Sequence, residues 1–332
     1  MERGNETSMD EFILLGLFPE FRHRTFLISV ILLIYIVALA GNTVLILLIW
    51  VDLGLHTPMY FLLSQLSLMD LAYISTTVPK MTADFFSGKR NISLIGCGAQ
   101  IFFFFTLGGT ECLLLTLMSY DRYVAVCHPL RYPVLMNHGV CLQMAAGTWL
   151  GCVVNSLAHT IYTMIVPSCG PREIHHFFCE ISAVLKLSCG NTSAYELAVF
   201  AMGVVFLLVP FVLILVSYAL VFLSVLRMDS REGRKKALAT CSSHLTVVAL
   251  YFAPNIFIYM TPGNAHSPEQ DQAVSVFCTI LTPLLNPLIY SLRNKEVLGA
   301  LFMISMCTGK RSYKNRSFPL RILFHFVLSV KL

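Results

Sequence analysis

The sequence predicts an all-α membrane protein, a bundle of seven transmembrane helices. Three observations predict it: charge is scarce, seven long apolar runs follow one another, and basic residues concentrate on alternate connections. Of 332 residues, 56% are hydrophobic and only 12% are charged, whereas a soluble domain carries roughly a quarter of its residues charged. The apolar runs span about 24–50, 58–83, 95–127, 140–166, 196–227, 237–261 and 271–292. Each is long enough to cross roughly 30 Å of hydrocarbon. A strand barrel would instead alternate polar and apolar residues over segments of about ten, and no such segment is present. The net charge of +5 is small, and no nucleic-acid partner is expected.

The first run follows a polar start of mixed charge, without the basic-then-apolar pattern of a cleavable signal. It is therefore expected to act as an uncleaved signal anchor, giving an extracellular tail over 1–23, a seven-transmembrane domain over 24–292 and a cytoplasmic amphipathic helix and tail over 293–332. Prolines and glycines inside several runs are tolerated where neighbouring groups satisfy the freed backbone. With the N-terminus outside, fifteen of the 23 Lys and Arg fall on inner loops and tail and eight on outer regions. The cluster from Arg227 to Lys236, between the fifth and sixth runs, is the largest contributor to that bias. Sequons agree in part. Asn5 lies in the outer tail and is the expected glycosylation site; Asn91 and Asn191 fall close to the bilayer, and Asn315 falls inside.

The outer connection between the fourth and fifth runs holds Cys169, Cys179 and Cys189, and Cys97 opens the third run. Four cysteines on an oxidising side most simply form two disulfides, one tying the loop to the third helix and one within the loop. A metal site using His175, His176 and Cys179 is the alternative.

Ionisable residues inside a bilayer are costly and mark function. Asp70 lies midway along the second run, Glu111 midway along the third, and Asn286 with Pro287 in the seventh. Two carboxylates and an amide at one depth could coordinate Na⁺; alternatively burial keeps one carboxyl protonated with no ion bound. Eleven residues beyond Glu111, about 16 Å further in, stands Asp121-Arg122-Tyr123. An acid–base pair at an inner helix end can hold a closed arrangement and then release Arg122, which makes a two-state switch.

These residues resemble a known family. Asp121-Arg122-Tyr123, Asn286-Pro287-Leu288-Ile289-Tyr290, Gly41-Asn42, Trp149 and Pro210 are similar to the helix markers of rhodopsin-like, G-protein-coupled receptors. Olfactory receptors are resembled more closely still, by Leu55-His56-Thr57-Pro58-Met59-Tyr60, by Pro79-Lys80-Met81 and by the run from Met118 to Cys127. Thr240-Cys241-Ser242-Ser243-His244-Leu245 and the run from Pro283 to Asn294 extend the match, which covers roughly 10–300. The resemblance implies a plasma-membrane receptor of olfactory cilia that binds a small hydrophobic odorant and activates a stimulatory, olfactory-type heterotrimeric G protein, raising cyclic AMP. It implies disulfides Cys97–Cys179 and Cys169–Cys189. It assigns Asp121, Arg122 and Tyr123 to the G-protein switch with Tyr218 and Tyr290 as gating tyrosines, and Asp70 with Glu111 to the cation site. No catalytic residue and no cofactor beyond that Na⁺ is implied.

Phe104 and Gly108 share a face of the third helix, and family position aims it at a pocket with Phe105. Met202 and Phe206 from the fifth helix, Phe252, Asn255 and Tyr259 from the sixth and Thr279 from the seventh complete it. Such a pocket suits an apolar ligand, and no carboxylate at the outer face of the third helix awaits an amine. The chain departs from the family in three places. Tyr251-Phe252-Ala253 stands where the family has Phe-Tyr-Gly, making Phe252 the candidate toggle. Leu298, Phe302 and Met303 give a more lipid-buried amphipathic helix after the seventh span. The apolar stretch from Phe318 to Val330 is too short to span; it either lies on the inner leaflet or has no role. A silent receptor is the runner-up function. A transporter or channel would show inverted repeats with broken helices, which are absent, and an intramembrane enzyme would need a convergent nucleophile or metal group.

Overall fold

The computed structural model describes residues 11–169, 171–190, 193–260, 267–294 and 296–301. Seven helices in them are long and apolar enough to cross a bilayer: α1 (Arg24–Val51), α2 (Pro58–Ser87), α3 (Leu94–Cys127), α4 (His138–Ile165), α5 (Ser193–Leu226), α6 (Arg231–Met260) and α7 (Pro268–Ser291). Several overshoot the apolar runs, most of all α6, whose first turns are the charged Arg231–Lys235. Hydropathy marks where the chain meets lipid, and helical hydrogen bonding continues past that boundary into water. Asn5, Asn191, Asn315 and the apolar stretch 318–330 lie outside the described residues, as do Phe302 and Met303 of the expected amphipathic helix. Residues 296–301 are helical, with Val297 and Ala300 turned into the core.

Local chemistry sets the helix ends. Pro58 opens α2, where its missing N–H costs nothing, and Gly88 closes it at φ 68°, a left-handed cap that glycine adopts freely. Ser93 caps α3 by accepting from Gly96 N at 3.1 Å, and Asn137 caps α4 by accepting from Val140 N at 3.0 Å. α3 is the axis of the bundle, with 61% of its most apolar window buried against 17% for α5. The lipid-facing side of α5 carries Leu197, Phe200, Val205, Val212 and Phe222 exposed. Asn42 joins α1 to α7 by donating to Pro283 O at 2.9 Å, and Gly41 lets Pro287 pack beside it. Single π-helical segments interrupt α5 at Val204–Leu208 and α7 at Phe277–Leu281.

The end of the bundle that carries the disulfides is roofed. Strand β1 (Glu11–Leu14) lies between β2 (Asn91–Ser93), antiparallel to it, and β3 (Glu173–Ile174), parallel to it. Phe12, Leu14, Ile92 and Ile174 turn inward over Cys97 and Cys179 as an apolar cluster separate from the main core. Gln272 of α7 clamps the roof, accepting from Phe18 N at 2.9 Å and donating to His175 O at 3.2 Å. The segment read from sequence as a tail thus supplies the middle strand of a small sheet.

Candidate functional site

A cavity of about 100 Å³ lies among α2–α6, beneath the roof. Phe104, Phe105, Gly108, Gly109 and Cys112 line it from α3, Cys152, Asn155 and His159 from α4, Met202 and Phe206 from α5, and Tyr251, Asn255 and Tyr259 from α6. Its ceiling is aromatic. Phe104 packs between Tyr73 of α2 and Phe178 of the long loop, at centroid distances of 5.3 and 5.0 Å. Its α6 wall is fixed by hydrogen bonds, from Tyr251 OH to Gly108 O at 2.5 Å and from Asn255 Nδ2 to Tyr251 O at 2.7 Å.

Seven of the nine residues assigned to the pocket from sequence line this cavity: Phe104, Phe105, Gly108, Met202, Phe206, Asn255 and Tyr259. Phe252 and Thr279 are placed elsewhere. Phe252 is fully buried against Phe211, with ring centroids 5.3 Å apart, on the α5 side of α6. Thr279 is fully buried and returns its hydroxyl to Ser275 O at 2.7 Å. One residue of helix turns a side chain by about 100°, so Tyr251 rather than Phe252 faces the cavity. The α4 wall had no motif to announce it. Its signal was a polar stripe in an apolar helix, Cys152, Asn155 and His159, spaced three and four residues apart.

Nearer the middle of the bundle, Asn286 Nδ2 donates to both carboxylate oxygens of Asp70, at 3.0 and 3.1 Å, and lies 3.3 Å from Glu111 Oε1. All three side chains are sealed from solvent. The amide draws the two carboxylates together, and its own Oδ1 has no partner among the described residues. The atom that faces both carboxylates is thus the amide nitrogen, a hydrogen-bond donor.

At the far end of α3, Arg122 donates from Nε to Asp121 Oδ2 at 3.0 Å. Asp121 also accepts from Tyr132 OH at 2.8 Å, in the short helix Tyr132–Leu135 after α3. Burial, and then the Asp121 carboxylate, push the Tyr132 phenol well above its ordinary pKa, so it stays a donor. Tyr123 turns away to His128, 3.0 Å from its Nε2. Tyr218 of α5 is 2.8 Å from His244 Nδ1 of α6. Tyr290 OH is buried without a partner among the described residues, beside a cavity of about 30 Å³ that Arg122 and His244 also line. Tyr132 and His244 complete this cluster and were not assigned a role from sequence.

In the roof, Cys97 bonds Cys179 and Cys169 bonds Cys189. Cys179 is therefore spent as a metal ligand, and among the described residues no group of three His, Cys, Asp or Glu could hold a metal. His176 is stacked on Phe177 with centroids 4.7 Å apart. Burial, with Lys186 nearby, drives its pKa down to about 3.

The family model described as olfactory receptor matches this chain over residues 31–307. The chain belongs to the olfactory receptor family. Similar receptors include olfactory receptor 2L2 of Homo sapiens, 55% identical over 304 residues, covering 92% of this chain and 97% of that one. Olfactory receptor 2T5 of Homo sapiens is 56% identical over 297 residues, with 90% and 94% covered. Olfactory receptor 2V1 of Mus musculus is 54% identical over 297 residues, with the same coverage. The receptor is a multi-pass protein of the plasma membrane and belongs to a non-enzymatic family.

Proposed function

We propose that this receptor binds a small, uncharged, largely hydrophobic odorant in the α3–α6 cavity and activates a stimulatory, olfactory-type G protein, raising cyclic AMP. The observation that carries the reading is one continuous helix with a device at each end. α3 lines the cavity with Phe104 and Gly108 and presents Arg122 clamped to Asp121 at its other end. Among the described residues no Asp, Glu, Lys or Arg lines the cavity, which favours a neutral ligand because an unpaired charge would be desolvated there. Cells carrying the olfactory-type G protein are expected to raise cyclic AMP when an odorant panel is applied, and Arg122→Ala is expected to abolish the rise. A response surviving Arg122→Ala unchanged would remove Arg122 from the switch. Solute or ion transport by purified protein without any G protein would remove the receptor mechanism.

The N-terminus and roof face the outside and residues 293–332 the cytoplasm, as the basic loops and the two disulfides favour. Glycan on Asn5 is the expected result, and glycan on Asn315 instead would invert the topology. Asp70 and Glu111 would hold Na⁺, with Asn286 turned to offer its amide oxygen, and the ion would supply the positive charge that two sealed carboxylates lack. Thermal stability of the purified receptor is then expected to rise with Na⁺ over equimolar choline, and equal stability in both salts would exclude the ion.

A further inference from the structure

The polar stripe on α4 divides unequally. Cys152 packs against α3, where a Cβ on Gly109 would lie 3.1 Å from its Sγ. His159 is engaged through Nδ1 by Tyr195 OH at 3.1 Å and stacks on Phe105. Asn155, between them, differs. Its Oδ1 is sealed from solvent and accepts no hydrogen bond from any described residue. None of the other described side chains lining the cavity carries a buried polar atom in that state. On the α6 wall, Tyr251 OH and Asn255 Nδ2 are already donating, to Gly108 O and Tyr251 O. A buried carbonyl oxygen without a donor is a standing penalty, which a ligand donor removes.

We propose that Asn155 sets specificity for a hydroxyl-bearing odorant, an alcohol or a phenol, whose O–H donates to Asn155 Oδ1. The hydrocarbon body of that ligand packs on Met202 and Phe206 of α5 and in the space left by Gly108. This deepens the odorant reading and rests on it. An isostere without the O–H fits the same space and leaves the acceptor unpaired. Polar sites reject such analogues far more strongly than apolar walls reject a change of one methylene.

The probes are 1-octanol against 1-fluorooctane and phenol against fluorobenzene, pairs of nearly equal shape in which one member alone can donate. Cyclic AMP is read in cells carrying the olfactory-type G protein. In at least one pair the hydroxyl compound is expected to act at concentrations about tenfold lower or better. Asn155→Leu, checked for surface display through an N-terminal tag, is expected to erase that difference. Asn155→Asp, which keeps an acceptor oxygen, is expected to retain it. Equal potency within each pair on the unaltered receptor overturns the proposal, and so does discrimination that survives Asn155→Leu. If Asn155→Leu is not displayed, the comparison on the unaltered receptor still decides. A receptor that answers a broad panel only through molecules without a hydroxyl loses the anchor and keeps the odorant reading. One silent to the whole panel loses both.

Discussion

Asn286 shows how much one side chain can hold. A single amide nitrogen serves two buried carboxylates on two other helices. Asn286→Leu leaves Asp70 and Glu111 facing each other with no donor between them, and leaving buried polar groups unsatisfied in this way costs about 1–3 kcal/mol. Loss of surface display and of thermal stability in detergent is the expected result, and near-normal stability would mean the amide is not the bridge. His176 makes a different case. Its folded pKa of about 3 lies below the ordinary value of 6.5, so the roof holds the neutral ring. That contribution is complete above pH 6.5 and declines as pH falls toward 3, by about 1.4 kcal/mol per pH unit. Unfolding temperatures measured between pH 7 and 5 are expected to fall, and His176→Phe to flatten the slope. A slope unchanged in that variant would assign the acid sensitivity to another group. The carboxylates were legible in sequence because charge inside an apolar run has no bland explanation. The burial of the imidazole was not, because in a polar loop His176 stood out only as an alternative metal ligand, and its aromatic neighbours are set by the fold.

Among the elements, the helices were legible and the roof was not. An apolar run of more than twenty residues carries its own evidence. The roof is made of strands of four, three and two residues, whose pairing depends on partners far along the chain. Phe252 and Tyr251 mark the intermediate case, since hydropathy located α6 and left its rotation open. The roof's two cross-links are not equivalent. Cys97–Cys179 closes 82 residues, and both its cysteines are fully buried. Cys169–Cys189 closes 20 residues within one loop. Cys97→Ser is therefore expected to reduce surface display severely and Cys169→Ser mildly. The reverse order would show that the loop's internal shape matters more than its attachment to α3.

For the whole molecule, α3 both lines the cavity and carries the Asp121–Arg122 pair. Gly108 and Arg122 stand fourteen residues apart on it, about 21 Å along a rigid rod. In this structure Asp121 holds both Arg122 and Tyr132, which on the proposed function is a restraint on the switch. Tyr132→Phe removes one of those two restraints, and ligand-independent cyclic AMP is expected to rise about two- to fivefold, the effect of weakening one hydrogen bond by roughly 0.5–1 kcal/mol. Unchanged basal signalling at equal surface display would exclude Tyr132 from the restraint.

The order of strands in the roof also dictates a sequence of assembly. Its central strand, Glu11–Leu14, precedes both partners in the chain, one at Asn91–Ser93 and the other at Glu173–Ile174. During synthesis the central strand can meet its first partner only once residue 93 has been made, and its second only once the chain has passed residue 174 and α1 to α4 are in place. Contacts so distant in sequence close late. A finished cap is thus a physical record that four helices are in place, and an unfinished one displays the greasy, unpaired strand that folding surveillance recognises.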